Sequence, residues 1–487
     1  MEAQRRDLGS ACMSTSTMTR STSASPAIAL LACALHLGCA HGPHERSAGR
    51  PDLAPPHRRA GATFGGGTAH PERSQGAALP DPQRSEAITL DGILAYADAH
   101  SPLLAVARST RARADAARAA ASPWLPDNPQ LTVGAGPRFA DAGRGIDLEA
   151  SLTQRFEIAG ERGMRIEAAD RLGDLTEAEI EQIRWSVHCD VHAVFHETLV
   201  ARQRAELAQR MLKFQQELLG IVERQIAAGE AAPLTLRLAQ AEVAQARQAA
   251  VAAAQTHHAA RLRLAQLSGW PLGSPPDPAG ALDAPRDPPP LAELVTAGRR
   301  RLPLLHARVA AVREARARAL AADRDAWVEP ALGVHYSRED NPGPGAANDI
   351  LIGTLSLPLP VAQRNQGERA RSRADLEVAR AELDAAHALL AGTIAEAHSQ
   401  AAAAAERVRS YGAEVLPRIE ENLSLLRRAF ELGEIDLLEL SIGRERFLRI
   451  QNDALTAHLD YFVAIAGLER AVGVDLWRDE HHEESAP

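Results

Sequence analysis

The chain has 487 residues, a formal net charge of −9 and only 3% aromatic residues. The acidic balance excludes the basic surface by which proteins bind nucleic acid. Ala, Leu, Arg, Glu and Gln are frequent instead, which is typical of long helices that pack closely through small residues.

The first 39 residues are typical of an export signal. Arg20 precedes a Ser/Thr-rich stretch, an apolar run that begins at Pro26, and a small-residue cleavage point. The apolar run is too short to span a bilayer as a helix. The triplet Leu37-Gly38-Cys39 resembles a bacterial lipoprotein box, which predicts a lipid on Cys39. Two alternatives stay open, namely a lipid on Cys33 and an ordinary cleaved signal without lipid.

Residues 40–87 are rich in Pro, Gly, Ser, His and Arg, and this composition predicts a disordered tether. Order is predicted to begin near Ile88. A helix then runs to about Ala121, where a group of prolines ends it.

Two short strands are predicted next, at residues 131–135 and 146–153. Apolar side chains alternate with polar or small ones, so each strand has an apolar and a polar face. Asp147 and Glu149 lie on the polar face of the second strand. An apolar face suits lipid and an acidic face suits a water-filled lumen. A hairpin that rests on a soluble core is the alternative.

A proline-free stretch from about Glu157 to Ala228 predicts a helix of roughly 105 Å. The turn at Gly229-Glu230 reverses the chain, and a second helix returns to Leu267. A proline-rich linker follows at residues 268–290.

The same order of elements is repeated about 204 residues later. The second turn, Gly433-Glu434, corresponds to the first, and the long helix before it is predicted from about Gly367 to Leu432 with a kink at Pro417. The sequence therefore predicts a duplicated unit. The first copy covers residues 88–267 and the second 291–475, and an acidic tail follows at 476–487.

The predicted fold is mainly α with a small β part. Four strands per chain cannot enclose a lumen, because the smallest barrels need about eight. If the strands lie in a membrane, each unpaired backbone group at an open edge costs several kcal/mol. Several copies must then supply one barrel, in which two copies give eight strands and three give twelve.

This arrangement is similar to the TolC-type outer-membrane efflux family over nearly all of residues 88–475. Residues 430–440 (FELGEIDLLEL) resemble the tip signature of the CzcC-like subfamily, which serves heavy-metal efflux pumps. The resemblance implies a homotrimer with a twelve-stranded β-barrel in the outer membrane of a Gram-negative bacterium and a helical barrel in its periplasm. It implies as partners a periplasmic adaptor protein, an inner-membrane pump of the resistance-nodulation-division (RND) class and outer-membrane lipid.

The resemblance also assigns roles to residues at the two turns. Adaptor docking is expected at Gly229, Glu230, Gly433 and Glu434, while glycines that only end helices are the alternative. The family closes its tunnel with acidic rings just beyond the second turn, which places Glu439 in one ring. Ile442 stands at the second ring position and departs from the pattern. A solvated helix charge is the alternative for Glu439.

The sequence contains no Walker loop, GxSxG elbow, HExxH motif or paired-cysteine metal motif, so the chain is predicted to be no enzyme and to need no cofactor. His188, His192 and His196 lie at i, i+4 and i+8 and share one helix face. Histidines at this spacing can chelate a divalent ion. A metal-handling face in the lumen is therefore one weak hypothesis, and solvated or interhelical polar residues are the other.

Together these observations favour a passive exit duct for Co, Zn, Cd or Cu ions. A channel for drugs, solvents or secreted proteins is the first alternative. The second is a periplasmic coiled-coil lipoprotein without a pore. No nucleic-acid partner is expected.

Overall fold

The computed structural model describes residues 87–140, 143–229, 232–282, 284–340, 347–412 and 416–476. Several sequence predictions lie outside the described residues: the export signal with Cys33 and Cys39, nearly all of the tether, Glu230, and all but the first residue of the acidic tail.

Short helices precede the strands in each half of the chain. The first half has α1 (Leu90–His100), α2 (Pro102–Ser109) and α3 (Arg111–Ala121), and the second half has α6 (Leu291–Arg301) and α7 (Pro303–Arg324). Prolines begin α2 and α7, where their fixed φ suits a first helical turn and their missing N–H is not needed. The one helix predicted before each strand pair is therefore divided at its proline, and in the first half it is divided once more at Thr110.

In the described residues, four strands form one antiparallel sheet in the order β1-β2-β3-β4. They are β1 (Gln130–Ala140), β2 (Gly143–Arg155), β3 (Ala331–Glu339) and β4 (Asn348–Ser356). Each half of the chain supplies one hairpin, and β2 pairs with β3 to join the two hairpins. β1 extends further than predicted because Gly134, Gly136 and Pro137 hide its alternation in the sequence.

Long helices continue from the sheet. The helix α4 (Glu161–Ala228) has 68 residues and a length of about 100 Å, and α5 (Pro233–Ser268) returns beside it. The second half has α8 (Gln366–Ser410), α9 (Leu416–Glu431) and α10 (Leu437–Val472). The single helix predicted from Gly367 to Leu432 is thus two segments. Pro417 lies at the start of α9, where the missing N–H of proline is tolerated.

Two hydrophobic clusters, here called the middle clusters, lie along the long helices. The first joins α1, α2, α4 and α5 through Ile93, Leu104, Val191, Phe195 and Leu264. The second joins α6, α7, α8 and α10 through residues that include Leu305, Ile394, Ala405, Tyr461 and Phe462. These clusters confirm a mainly α fold in which small and branched side chains fill the space between helices.

Candidate functional site

The sheet has one apolar and one polar face. The strand register places on one face a set of exposed apolar side chains: Leu131, Val133, Leu148, Leu152, Leu332, Val334, Leu351 and Leu355. Because the described residues do not cover these side chains, this face must meet a lipid or protein environment in the assembled molecule.

The opposite face of the sheet carries Asp147 and Glu149, as predicted, together with His335 and Glu339 from β3. Arg138 of β1 binds Asp147 at 2.9 Å and Glu339 at 3.0 Å, so one guanidinium joins β1, β2 and β3. The edge strand β4 departs from this pattern, because two isoleucines, at positions 350 and 352, lie on the polar face. The acidic side chains of the polar face therefore lie on β2 and β3, and Arg138 of β1 binds one on each strand.

Both helical turns use a glycine in the left-handed conformation. Gly229 has φ = 77° and ends α4, and Gly433 has φ = 75° between α9 and α10. An ideal Cβ at either glycine would meet nothing within 4 Å, so the requirement for glycine comes from φ and not from lack of space.

The second turn continues into a capping box. The carboxylate of Asp436 accepts the backbone N–H of Glu439 at 2.7 Å, and the Glu439 carboxylate accepts the backbone N–H of Asp436 at 3.3 Å. This exchange satisfies N–H groups that would be unpaired at the start of α10. Glu439 thus holds the start of a helix, a function that the sequence interpretation did not include.

The helices next to the two turns pack against each other. A hydrophobic cluster, here called the tip cluster, contains Leu218, Val222, Ala239, Phe430, Leu437 and Leu440. These residues come from α4, α5, α9 and α10, so both hairpins share one small core. Several apolar side chains near the same helix ends stay exposed, namely Leu234, Leu238, Leu432, Leu438 and Ile442.

A polar link joins the two hairpins beside the tip cluster. Glu242 of α5 accepts hydrogen bonds from Arg444 at 2.6 Å, from Gln215 at 3.0 Å and from Ser441 at 3.2 Å. Burial disfavours the charge of Glu242, but the hydrogen bonds from Arg444, Gln215 and Ser441 outweigh it and lower the pKa of this carboxyl. This group of Glu242, Arg444, Gln215 and Ser441, here called the tip link, is therefore a charged, half-buried connection between the first and second copies.

A second ion pair lies across the same hairpins. Arg427 of α9 binds Glu217 of α4 at 3.1 Å and also lies 6.0 Å from the ring centre of Phe214. Its partners are more exposed than those of Arg444, and water screens the pair accordingly.

The three histidines on α4 do not form a solvated ladder. His192 is 1% exposed, and its Nδ1–H donates to Oε2 of Glu469 in α10 at 2.7 Å. His196 is buried against the ring of Phe462, and burial together with His192 lowers its pKa to about 3. Their spacing does place them on one face, and His192 and His196 on that face pack against α10. His188 is partly exposed, with its Nε2 3.8 Å from Oδ2 of Asp475 just beyond α10. This corrects the hypothesis of a metal-handling face in the lumen, and it agrees with the interhelical alternative.

In the part of the chain that the structure describes, no three histidine, cysteine, aspartate or glutamate side chains are grouped so that they could hold a metal ion.

No helix among the described residues is both long enough and apolar enough to span a membrane.

Sequence reasoning missed the tip link and the partner of His192. Glu242 and Arg444 are 202 residues apart, close to the repeat offset, so they occupy nearly equivalent positions on the two returning helices. Opposite charges at such positions were a signal that could have predicted the pair. Glu469 lies 277 residues from His192, and no periodicity connects the two.

Comparisons with known proteins agree with this architecture. The family model described as "Outer membrane efflux protein" matches residues 94–270 and 299–474. The chain is 27% identical over 297 residues to the cobalt-zinc-cadmium resistance protein CzcC of Cupriavidus metallidurans. This alignment covers 60% of the present chain and 68% of CzcC. It is 31% identical over 192 residues to the nickel-cobalt-cadmium resistance protein NccC of Alcaligenes xylosoxydans xylosoxydans, and this alignment covers 38% of the present chain and 43% of NccC.

A solved structure has the same fold. The Campylobacter jejuni CmeC outer membrane channel aligns with a TM-score of 0.65 at 13% sequence identity, over 79% of this chain and 85% of that chain. The family match covers both halves of the molecule, including the sheet and the long helices. The chain therefore belongs to the outer membrane efflux protein family, as a channel and not an enzyme, located in the outer membrane of a Gram-negative bacterium with its helical part in the periplasm.

Proposed function

We propose that three copies of this chain form the outer-membrane exit duct of a three-part assembly that exports heavy-metal cations. The observation that carries this proposal is the four-stranded sheet, whose order leaves one side of β1 and one side of β4 without a partner in the described residues. Unpaired backbone groups in hydrocarbon cost several kcal/mol each. Three sheets joined edge to edge would pair all of them in a twelve-stranded barrel, with the exposed leucines and valines towards lipid.

Metal cations are the proposed cargo because of the two named relatives. CzcC is a cobalt-zinc-cadmium resistance protein and NccC a nickel-cobalt-cadmium resistance protein. The acidic polar face of the sheet would line the lumen and favours cations over anions. In this assembly an RND pump in the inner membrane supplies the ions, and they diffuse through the duct.

The helical tips are the proposed docking site for the periplasmic adaptor. Leu234 and Leu238 at the first tip and Leu432 and Leu438 at the second are exposed although they are apolar, and Leu432 is 67% exposed. Two such tips per chain give six around a trimer, which suits a ring of adaptor helical hairpins that insert their own apolar side chains.

Gating is also proposed at the helical tips. The pair Glu242–Arg444 holds the second hairpin against the first, so the tips cannot separate unless this link breaks. Adaptor binding would supply the free energy that offsets this loss. Glu439, which lies in the capping box at the second tip, is the proposed aperture carboxylate.

Cys39 is the proposed site of a lipid anchor, supported by Leu37-Gly38-Cys39 in the sequence. Palmitate labelling of the wild type and of Cys39→Ser tests it. Label that persists in C39S but disappears in Cys33→Ser would move the anchor to Cys33, and no label in the wild type would remove it.

A deletion strain tests the cargo. We expect loss of tolerance to one or more of Co, Zn, Cd, Ni and Cu, restored by the wild-type gene. Unchanged metal tolerance together with new sensitivity to drugs or solvents would favour the alternative cargo. Absence of trimers and of single-channel conductance in planar bilayers would favour the lipoprotein without a pore.

The docking proposal is tested by Gly433→Val. A β-branched side chain at φ = 75° costs about 1–2 kcal/mol, so the turn changes shape while the sheet and middle clusters keep theirs. We expect normal trimers, no metal tolerance and no cross-linking to the adaptor. Gly392→Val is the matched control, because this glycine lies within α8 with open space around it. Full tolerance in G433V would contradict docking at this turn.

A further inference from the structure

Four connections join the sheet to the helices, and all of them leave the same end of the strands. Residues 122–129 lead from α3 to β1, and residues 156–160 lead from β2 to α4. Residues 325–330 and 357–365 are the matching connections of the second copy. They lie where the sheet meets the helical part, which is in the periplasm. This end of the sheet is therefore its periplasmic end.

Each of the four connections exposes at least one large apolar side chain. These six side chains, here called the collar, are Trp124, Ile158, Trp327, Leu357, Leu359 and Val361. Trp124 is 80% exposed and Val361 is 81% exposed. A single exposed apolar side chain needs no explanation, but a group of them at one level of the molecule marks a surface that meets a membrane or another protein.

The two tryptophans of the collar lie at equivalent places in the two copies. Trp124 precedes β1, Trp327 precedes β3, and each of these strands begins the hairpin of its copy. The chain has only five tryptophans. Tryptophan is enriched where a membrane meets water, because its ring is apolar while its N–H needs a polar partner. A repeated, exposed tryptophan at the periplasmic end of the sheet therefore favours lipid as the environment of the collar.

Hydrogen bonds hold the connection that carries Trp124. Arg162, in the first turn of α4, donates from Nη2 to the carbonyl of Ser122 at 2.9 Å and from Nε to the carbonyl of Pro123 at 3.1 Å. These two residues directly precede Trp124 in the chain. The backbone beside the tryptophan is therefore fixed to the start of the long helix.

The connection that carries the last three collar residues is held in the same manner. Arg364 donates from Nε to the carbonyl of Pro360 at 2.8 Å. The amide of Asn365 donates to the carbonyl of Ala322 in α7 at 3.2 Å. Both connections are thus fixed in a shape that leaves the collar exposed, instead of folding over it.

The collar adjoins the apolar face of the sheet. Leu152 of β2, Leu332 of β3 and Leu355 of β4 are exposed on that face near its periplasmic end. Leu357 of the collar lies two residues beyond Leu355. The exposed apolar surface therefore continues from the strands into the connections.

A neighbouring copy would not cover the whole collar. In the proposed barrel the copies meet at the outer edges of β1 and β4, whereas Ile158 follows β2 and Trp327 precedes β3. Because β2 and β3 are the two central strands, these two side chains lie away from the edges at which copies would pair. Lipid, in contrast, surrounds a barrel on all sides.

We propose that the collar inserts into the periplasmic leaflet of the outer membrane, at the level where phospholipid headgroups meet acyl chains, and so fixes the height of the duct in the bilayer. This inference rests on the proposed function, because it takes the apolar face of the sheet as the lipid side of the barrel. At this level the two indole rings lie against acyl chains while their N–H groups reach water or lipid carbonyls. The aliphatic collar residues contact the acyl chains.

Quenching of tryptophan fluorescence by brominated lipid tests the collar in the full-length protein, reconstituted into phosphatidylcholine vesicles. Bromine near the glycerol end of the acyl chain reports a shallow position, and bromine near the methyl end a deep one. We expect the shallow bromine to quench about twofold more strongly than the deep one. The double variant Trp124→Phe with Trp327→Phe should lose this quenching. Trp185→Phe is the control and should keep it, because Trp185 lies about 36 Å along α4 from its start.

A gain of signal tests whether the collar is one surface. In the background of W124F with W327F, Ile158→Trp should restore quenching by the shallow bromine. Leu389→Trp is the matched comparison, because Leu389 is as exposed as Ile158 but lies on α8 in the helical part. We expect no quenching there. Failure of I158W to restore quenching would overturn the collar as a lipid-contacting surface.

Conductance of the same vesicle preparation separates this inference from the proposed duct. Single-channel conductance without quenching in the wild type would overturn the collar alone, since its tryptophans would then be covered by protein. Quenching without conductance would overturn the duct and keep the collar. Stronger quenching by the deep bromine would contradict the proposed level, because it would place the tryptophans among the ends of the acyl chains.

Discussion

The middle of the helical body and its tips are held together in different ways. The middle clusters bury aromatic and branched side chains from eight helices, with Tyr461 and Phe462 fully inside. The tip cluster has six buried apolar residues and depends on the polar link at its border. The middle therefore resists separation, whereas the tips need only a few contacts to change before they can move.

The two regions also differ in the polar side-chain pairs that join the two copies. His192 and Glu469 are almost completely buried, so salt cannot screen them and the loss of either leaves a buried polar group. Glu242 and Arg444 are partly exposed, and water can replace their contact at moderate cost. The gating proposed at the tip requires this combination, in which the middle of the helices stays packed while the tips can separate.

The largest expected effect comes from the middle. Replacing Glu469 with Leu removes the acceptor of the Nδ1–H of His192 and of the backbone N–H of Leu476, and the loss of such a buried hydrogen bond costs about 1–3 kcal/mol each. We expect a clear fall in unfolding temperature, measured by circular dichroism in detergent.

The double variant His192→Leu with Glu469→Leu is the matched comparison. Because it removes both polar partners, it should recover much of the stability that the single variant loses. If the double variant is as unstable as the sum of both single variants, the pair does not act as a unit and the contrast with the tip is weakened.

A smaller effect on stability, but a larger one on opening, is expected at the tip. Arg444→Ala removes a charged hydrogen bond to Glu242 and should cost about 1.5–3 kcal/mol. We expect little change in the unfolding of the middle but a higher single-channel conductance.

Arg449→Ala is the control for this change, because Arg449 lies on the same helix in an exposed pair with Glu445 at 3.2 Å. Its conductance should match the wild type. Equal conductance in R444A and R449A would show that the link does not restrain the tip.

In both the middle and the tip, the sequence predicted the local elements but not the long-range contacts, for a physical reason. Helices, strands and turns follow from local periodicity, so α4, the four strands and the positive φ of Gly229 and Gly433 could be predicted. The pairs at His192 and Glu242 join residues more than 200 positions apart, about which local patterns contain no information. The repeat offset could have indicated the pair at Glu242, but no pattern indicates the partner of His192. Spacing placed the three histidines on one face but could not tell that α10 covers it.

The tip link should also respond to acid. The pKa of Glu242 in the folded chain lies below its ordinary value of 4.5, so the link stabilises the tip at neutral pH and is lost as the pH falls through the folded value. We therefore expect wild-type conductance to rise towards that of R444A only well below pH 4.5, and R444A to show no such rise. A rise already at pH 6 would assign the response to another group.

The smallest expected change in stability separates two roles of Glu439. Gln can replace Glu in a capping box, so Glu439→Gln keeps the start of α10 and removes only the charge. Glu439→Ala removes both and should cost about 0.5–1 kcal/mol at this helix end. If Glu439 is an aperture carboxylate, both variants reduce the preference for cations over anions, measured as a reversal potential across a salt gradient. If it only caps the helix, E439Q keeps the wild-type selectivity and E439A alone loosens the tip. Both variants lose the charge of Glu439, but only E439A loses the helix cap. The two measurements together therefore decide whether the carboxylate of Glu439 affects ion selectivity or only stabilises the start of α10.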